Sequence, residues 1–97
     1  MYRRAYILSF DRDENRDYKK IHNKIINLPS VITWSHYVKS SYILIANTNS
    51  ATQLNNEILK VLTNTRFLLI EINLRNRNGC LPSKAWDWLK IELAQIK

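Results

Sequence analysis

Four acidic residues fall within seven positions, Asp11, Asp13, Glu14 and Asp17. Carboxylate oxygens at that density are what a hard divalent cation such as Mg²⁺ or Mn²⁺ takes as ligands. Asp11, which ends an apolar run, and Asp13 are the candidate ligands. The spacing is not that of an EF-hand, which needs Gly at its sixth position and Glu at its twelfth. The same residues also suit a solvated loop whose negative charge sits favourably at the start of a helix.

Basic residues form the second group. Arg3 and Arg4 precede the first apolar run, Arg12 and Arg16 follow it, Lys19, Lys20 and Lys24 lie in the next segment, and Arg75 and Arg77 come much later. Charges at strand ends and along one helix can together follow a phosphate backbone, which makes Arg3, Arg4, Arg12, Arg16, Lys19, Lys20, Arg75 and Arg77 candidate nucleic-acid contacts. A generally positive, solvated surface is the alternative. Aromatic and glycine residues interleaved with Lys or Arg, as in RRM strands, are missing from the sequence, so phosphate contact is expected rather than base readout.

Other chemistries fare worse. His22 lies on the apolar side of a helical pattern, where a satisfied, half-buried histidine is the commoner outcome. His36, in Trp34-Ser35-His36-Tyr37, could carry a proton but has no acid partner at a fixed spacing. Gly-x-Ser-x-Gly is absent, and with Gly79 as the single glycine no glycine-rich phosphate loop can form. Trp86 and Trp88 stand two apart on a helical pattern and point in different directions, so one is expected on the body of the domain and the other against a partner chain.

The elements that position these residues must fit in 97 residues, 45% hydrophobic and 24% charged, which is one domain. A formal charge of +7 favours polyanionic partners. No apolar stretch approaches the roughly 20 residues of a membrane span, and the first apolar run is too short for a signal peptide core. Cys80, the single cysteine, can form neither an internal disulfide nor a cysteine-paired zinc site. A reducing, cytoplasmic setting and no membrane association are the expectations.

Residues 5–10 are apolar on both faces, as in a central strand, and residues 16–28 carry Tyr18, Ile21, Ile25 and Leu28 at helical spacing up to the Pro29 break. Residues 31–38 and 42–46 read as a strand pair turning through residues 39–41. Ser50 and Gln53 have capping-box spacing before a second helix, residues 66–72 return to strand composition, and Ser83 is the expected N-cap of a last helix. The order is βαββαβ plus a C-terminal helix, an α+β, ferredoxin-like arrangement with a four-stranded antiparallel sheet. Right-handed crossovers put both internal helices on one face, leaving the other face for a second subunit, the C-terminal helix or a ligand to cover.

Several stretches together resemble a known group. Ala5-Tyr6-Ile7-Leu8-Ser9-Phe10-Asp11, Arg16-Asp17-Tyr18, Trp34-Ser35-His36-Tyr37 leading to Ser40-Ser41-Tyr42, Leu68-Leu69-Ile70-Glu71, Gly79-Cys80-Leu81-Pro82 and Ala85-Trp86-Asp87-Trp88-Leu89 are similar to the small bacterial SinR-like proteins. That group in turn resembles the CRISPR-associated protein 2 and virulence-associated protein D families. The resemblance implies a ferredoxin-like homodimer in which Asp11 faces its mate near a metal ion, Mg²⁺ or Mn²⁺, as a catalytic residue of a nuclease acting on RNA or DNA. Residues 12–16 depart from the usual Arg-rich run of the CRISPR-associated proteins, and a shared fold does not carry an activity with it. Two classes of function remain: a nucleic-acid-binding dimer, as nuclease or scaffold, and a non-catalytic interaction or small-ligand module.

Overall fold

The computed structural model describes residues 3–13 and 15–96; Glu14 of the acidic run lies outside them. The apolar run after the N-terminus forms β1 (Arg3–Phe10), and the chain then turns into α1 (Tyr18–Ile26). This helix begins two residues later than its periodicity suggests because Asp17 is its N-cap: one carboxylate oxygen accepts from the Lys19 and Lys20 amides at 3.1 and 3.3 Å. The helix ends ahead of Pro29, and a hairpin of β2 (Val31–Val38) and β3 (Ser41–Asn47) follows.

Ser50 caps α2 (Ala51–Leu59) by accepting from the Gln53 amide. Only half of the expected capping box forms. The Gln53 side chain instead accepts from the Thr48 hydroxyl at 3.0 Å, and the Ser50 amide also turns to Thr48, so the loop before the helix takes the place of the reciprocal bond. β4 (Phe67–Glu71) and α3 (Ser83–Gln95) complete the chain. Ser83 is the first helical residue rather than the cap. Pro82 occupies the cap position in extended conformation, and its carbonyl accepts from the Ala85 amide.

The result is an α+β fold with three helices among the described residues and a four-stranded antiparallel sheet in the order β2-β3-β1-β4. β1 and β3 are central, as their two apolar faces predict. On one face Tyr6, Leu8 and Phe10 of β1 join Tyr42 and Leu44 of β3 against Ile25 of α1 and Leu54 and Ile58 of α2. Each of these buried side chains stabilises the fold by about 1.5 to 3 kcal/mol.

The other face is divided. α3 lies over Ala5 and Ile45 through Leu89, with Trp86, Trp88 and Leu93 packed around them. Both tryptophans pack on this layer and both stay partly exposed. The Trp88 indole donates to the Thr33 hydroxyl and the Trp86 indole to the Leu81 carbonyl, each at 3.2 Å. Beyond the reach of α3 the sheet stays open. Ile7 pairs with Ile70, Ser9 with Leu68, and Ser41 with both Ser9 and Val38; Leu68 is 58% exposed and Ile70 49%.

Candidate functional site

β1 delivers its last residues to the open end of the sheet. The Phe10 amide donates to the Ser40 carbonyl and the Asp11 amide to the Arg66 carbonyl, both at 3.0 Å, which pins Asp11 beside the start of β4 and the tip of the β2-β3 hairpin. A shallow pocket of about 540 Å³ opens there, lined by Ser9, Asp11, Ser40, Arg66 and Leu68 with Phe10 and Phe67. Asp11 is exposed in this lining.

Two other acids of the run, Asp13 and Asp17, are used by the chain itself. An Asp13 carboxylate oxygen accepts from the Asn15 amide, the Asp13 carbonyl accepts from the Arg16 amide, and the Asp13 amide donates to the Tyr18 hydroxyl. Asp17 is occupied as the cap of α1. Among the described residues no three His, Cys, Asp or Glu side chains gather as a metal-binding group. Among the described residues, Asp11 brings a single carboxylate and Asp13 is held in its turn, so no ligand set for a Mg²⁺ or Mn²⁺ ion is assembled there.

The candidate phosphate contacts separate into two groups at opposite ends of the sheet. Beside Asp11, the Arg12 guanidinium lies 4.1 Å over the Tyr18 ring and donates to the Lys39 carbonyl, while Arg16 donates to the Thr63 carbonyl. Lys19 and Lys20 are exposed in the first turn of α1, a turn with no acidic residue. Positive charge there opposes the helix dipole, so Asp17 offsets a local cost that exposed lysines would not otherwise incur. Arg66, absent from the sequence-based candidates, joins this group. Antiparallel pairing of β1 with β4 was the signal that could have placed it opposite Asp11.

At the other end Arg3 pairs with Glu92 at 3.6 Å and Arg4 with Glu71 at 3.0 Å, so both cations already have carboxylate partners. Arg75 and Arg77 follow β4. Together with Asn78, Gly79 and Trp86 they line a second pocket of about 410 Å³.

An aromatic array backs the Asp11 end. His22 Nδ1 lies 2.6 Å from the Tyr42 hydroxyl, the His36 ring stacks on Tyr42 at 3.9 Å and 9°, and His22 meets Trp34 edge-on. Burial, and secondarily the His36 imidazole, hold His22 below its ordinary value. Burial pushes Tyr42 up to about 12 against the opposing pull of Arg12. Both shifts favour the neutral forms, and His22 Nδ1 and the Tyr42 hydroxyl share a hydrogen bond whose donor is set by the imidazole tautomer. His22 is thus the satisfied, half-buried histidine its helical position suggests. Compared with known families, with curated proteins and with solved structures, the chain finds no match.

Proposed function

We propose that the chain is a ferredoxin-like homodimer, related to the SinR-like and CRISPR-associated protein 2 groups, that grips the phosphate backbone of RNA or DNA at the Asp11 end of its sheet. The observation that carries this reading is the gathering of Arg12, Arg16, Lys19, Lys20 and Arg66 around one end of the sheet, beside an uncovered apolar half. Lys19 and Lys20 stand where they cost helix stability, as expected of residues kept for a partner rather than for the fold. The order βαββαβ with β1 and β3 central supports the ferredoxin-like assignment.

Ile7, Leu68, Ile70 and Val38 supply the dimer surface, since a contiguous apolar face of this kind is unfavourable in water. A two-fold axis through it doubles the cationic end and brings the two Asp11 residues toward each other. Within this reading Asp11, exposed in the pocket lining, is the residue a nuclease would use, and a carboxylate that closes the strand-to-helix loop without catalysis is the alternative. The test is titration of labelled single and double strands at several salt concentrations. Binding whose logarithm falls steeply and linearly with the logarithm of salt supports the phosphate grip, whereas salt-independent binding or none removes it.

A further inference from the structure

The pocket at the far end has the chemistry of a discrete ligand site. Its lining offers the Arg75 and Arg77 guanidinium groups, the Asn78 side chain and the Trp86 indole, with no carboxylate among them. Arg77 donates one N–H to the Leu74 carbonyl at 2.9 Å, which orients its planar group and leaves further donors for a ligand. Asn78 is held in the same way, its side-chain oxygen accepting from the Gly79 amide and leaving its two N–H donors. The Trp86 ring is fixed by its bond to the Leu81 carbonyl and by packing against the second core.

A Cβ added at Gly79 would stand 3.8 Å from the edge of that ring, in ordinary contact, and the residue holds a φ of +154° that side chains rarely adopt. The loop therefore passes close beside the indole without covering it with a side chain. Preset donors for an anion beside a rigid aromatic surface match a phosphate joined to an aromatic base, and about 410 Å³ is within the usual range for small-ligand pockets.

We propose that Arg75, Arg77, Asn78 and Trp86 form a binding site for a nucleoside phosphate, with the base stacked on Trp86 and the phosphate held by the two arginines. This deepens the polyanion reading by naming a ligand class, but the site uses none of the residues at the Asp11 end and can stand or fall separately. The same chemistry is offered by a free nucleotide and by the terminal residue of a strand.

The experiment titrates the full chain with 5′-AMP, inorganic phosphate, and short oligonucleotides with and without a 5′-phosphate, following tryptophan emission and calorimetry. Saturable quenching by 5′-AMP, with inorganic phosphate binding at least about tenfold more weakly, is the expected result. Arg75→Glu, a change at an exposed loop position, should weaken 5′-AMP about tenfold or more. Trp86→Phe should remove the quenching and weaken binding several-fold. If only the 5′-phosphorylated oligonucleotide quenches, the ligand is a strand end; if 5′-AMP does so equally well, it is the free nucleotide. Quenching unchanged in both variants, or no quenching by any phosphorylated nucleotide, overturns the site. Salt-dependent strand binding that survives such a failure leaves the phosphate grip standing. Loss of strand binding with 5′-AMP binding intact does the reverse.

Discussion

The two ends of the sheet both carry positive charge, yet they hold it differently. At the Asp11 end the cations are spread over a strand end, a loop and the first turn of α1, interspersed with Asp11, Asp13 and Asp17, and the Tyr18 ring there is already occupied by Arg12. At the Arg75 end two guanidinium groups share one pocket with an indole and no acid. Dispersed charge on exposed flexible stems follows an extended polyanion whatever its sequence; converging donors around a fixed ring select one compact ligand. Net charge cannot distinguish these cases, whereas geometry can.

The contrast can be broken most sharply at the uncovered sheet. Leu68→Asp combined with Ile70→Asp alters only exposed side chains, so the chain should fold and elute as a monomer, whereas the proposal requires the unaltered protein to elute as a dimer. Strand affinity should fall with the dimer while the Arg75 pocket is unaffected. A dimer that persists in sedimentation would move the interface elsewhere.

Next in size is charge reversal on α1. Lys19→Glu with Lys20→Glu should weaken strand binding by about thirtyfold to a hundredfold near 0.1 M salt and make the log–log salt slope shallower by about 1.5 or more. An unchanged slope would show that α1 does not touch phosphates.

Stability against pH should report on the Asp11 end because its aromatic array titrates. His22 is held below 6.5 in the folded chain, so the unfolded chain binds its proton more readily. The stability it contributes is complete above pH 6.5 and declines as pH falls through the window beneath. Tyr42 acts in the opposite direction: the folded chain keeps its proton up to about 12, so stability is lost as pH rises from about 10 toward 12. Tyr42→Phe removes the hydrogen-bond partner of His22 and should cost about 1 kcal/mol in denaturant unfolding at pH 7. A flat profile below pH 6.5 would mean that His22 is not held neutral by the fold.

The smallest effect is expected of Asp11→Asn. Removing one negative charge from the cationic end should tighten strand binding by about twofold to threefold. It also tests catalysis. If wild-type protein cleaves nucleic acid in Mg²⁺ or Mn²⁺ and the variant does not, Asp11 is part of a nuclease centre; if cleavage and metal affinity are unchanged, its role is structural.

Several of these features could be read directly from residue order. Helical spacing in residues 16–28, alternation in the strands, and the placement of Asp17 and Ser50 before apolar periodic segments depend on contacts only a few residues apart. Periodicity and the Ser50 cap are therefore legible without knowledge of the fold, whereas the start of α3 is not: Ser83, the expected cap, is its first helical residue. The two apolar faces of residues 5–10 likewise identify a central strand, and a chain of this composition can place such a strand only inside a sheet. The grouping of Arg12, Arg16, Lys19 and Lys20 with Asp11 follows from the same proximity along the chain.

What joined distant residues was decided only in three dimensions. Antiparallel pairing of β1 with β4 set Arg66 beside Asp11, and the β2-β3 register with the docking of α1 stacked His36 and His22 around Tyr42. The docking of α3 covered Ala5 and Ile45 but left Ile7, Leu68 and Ile70 open, and in the same step brought Trp86 against the loop that carries Arg75 and Arg77. Local patterns encode which face of each element is apolar. Which part of that face is covered, and which charges meet across it, depends on the lengths of the elements and the register between them, and those are settled only when all the elements pack at once.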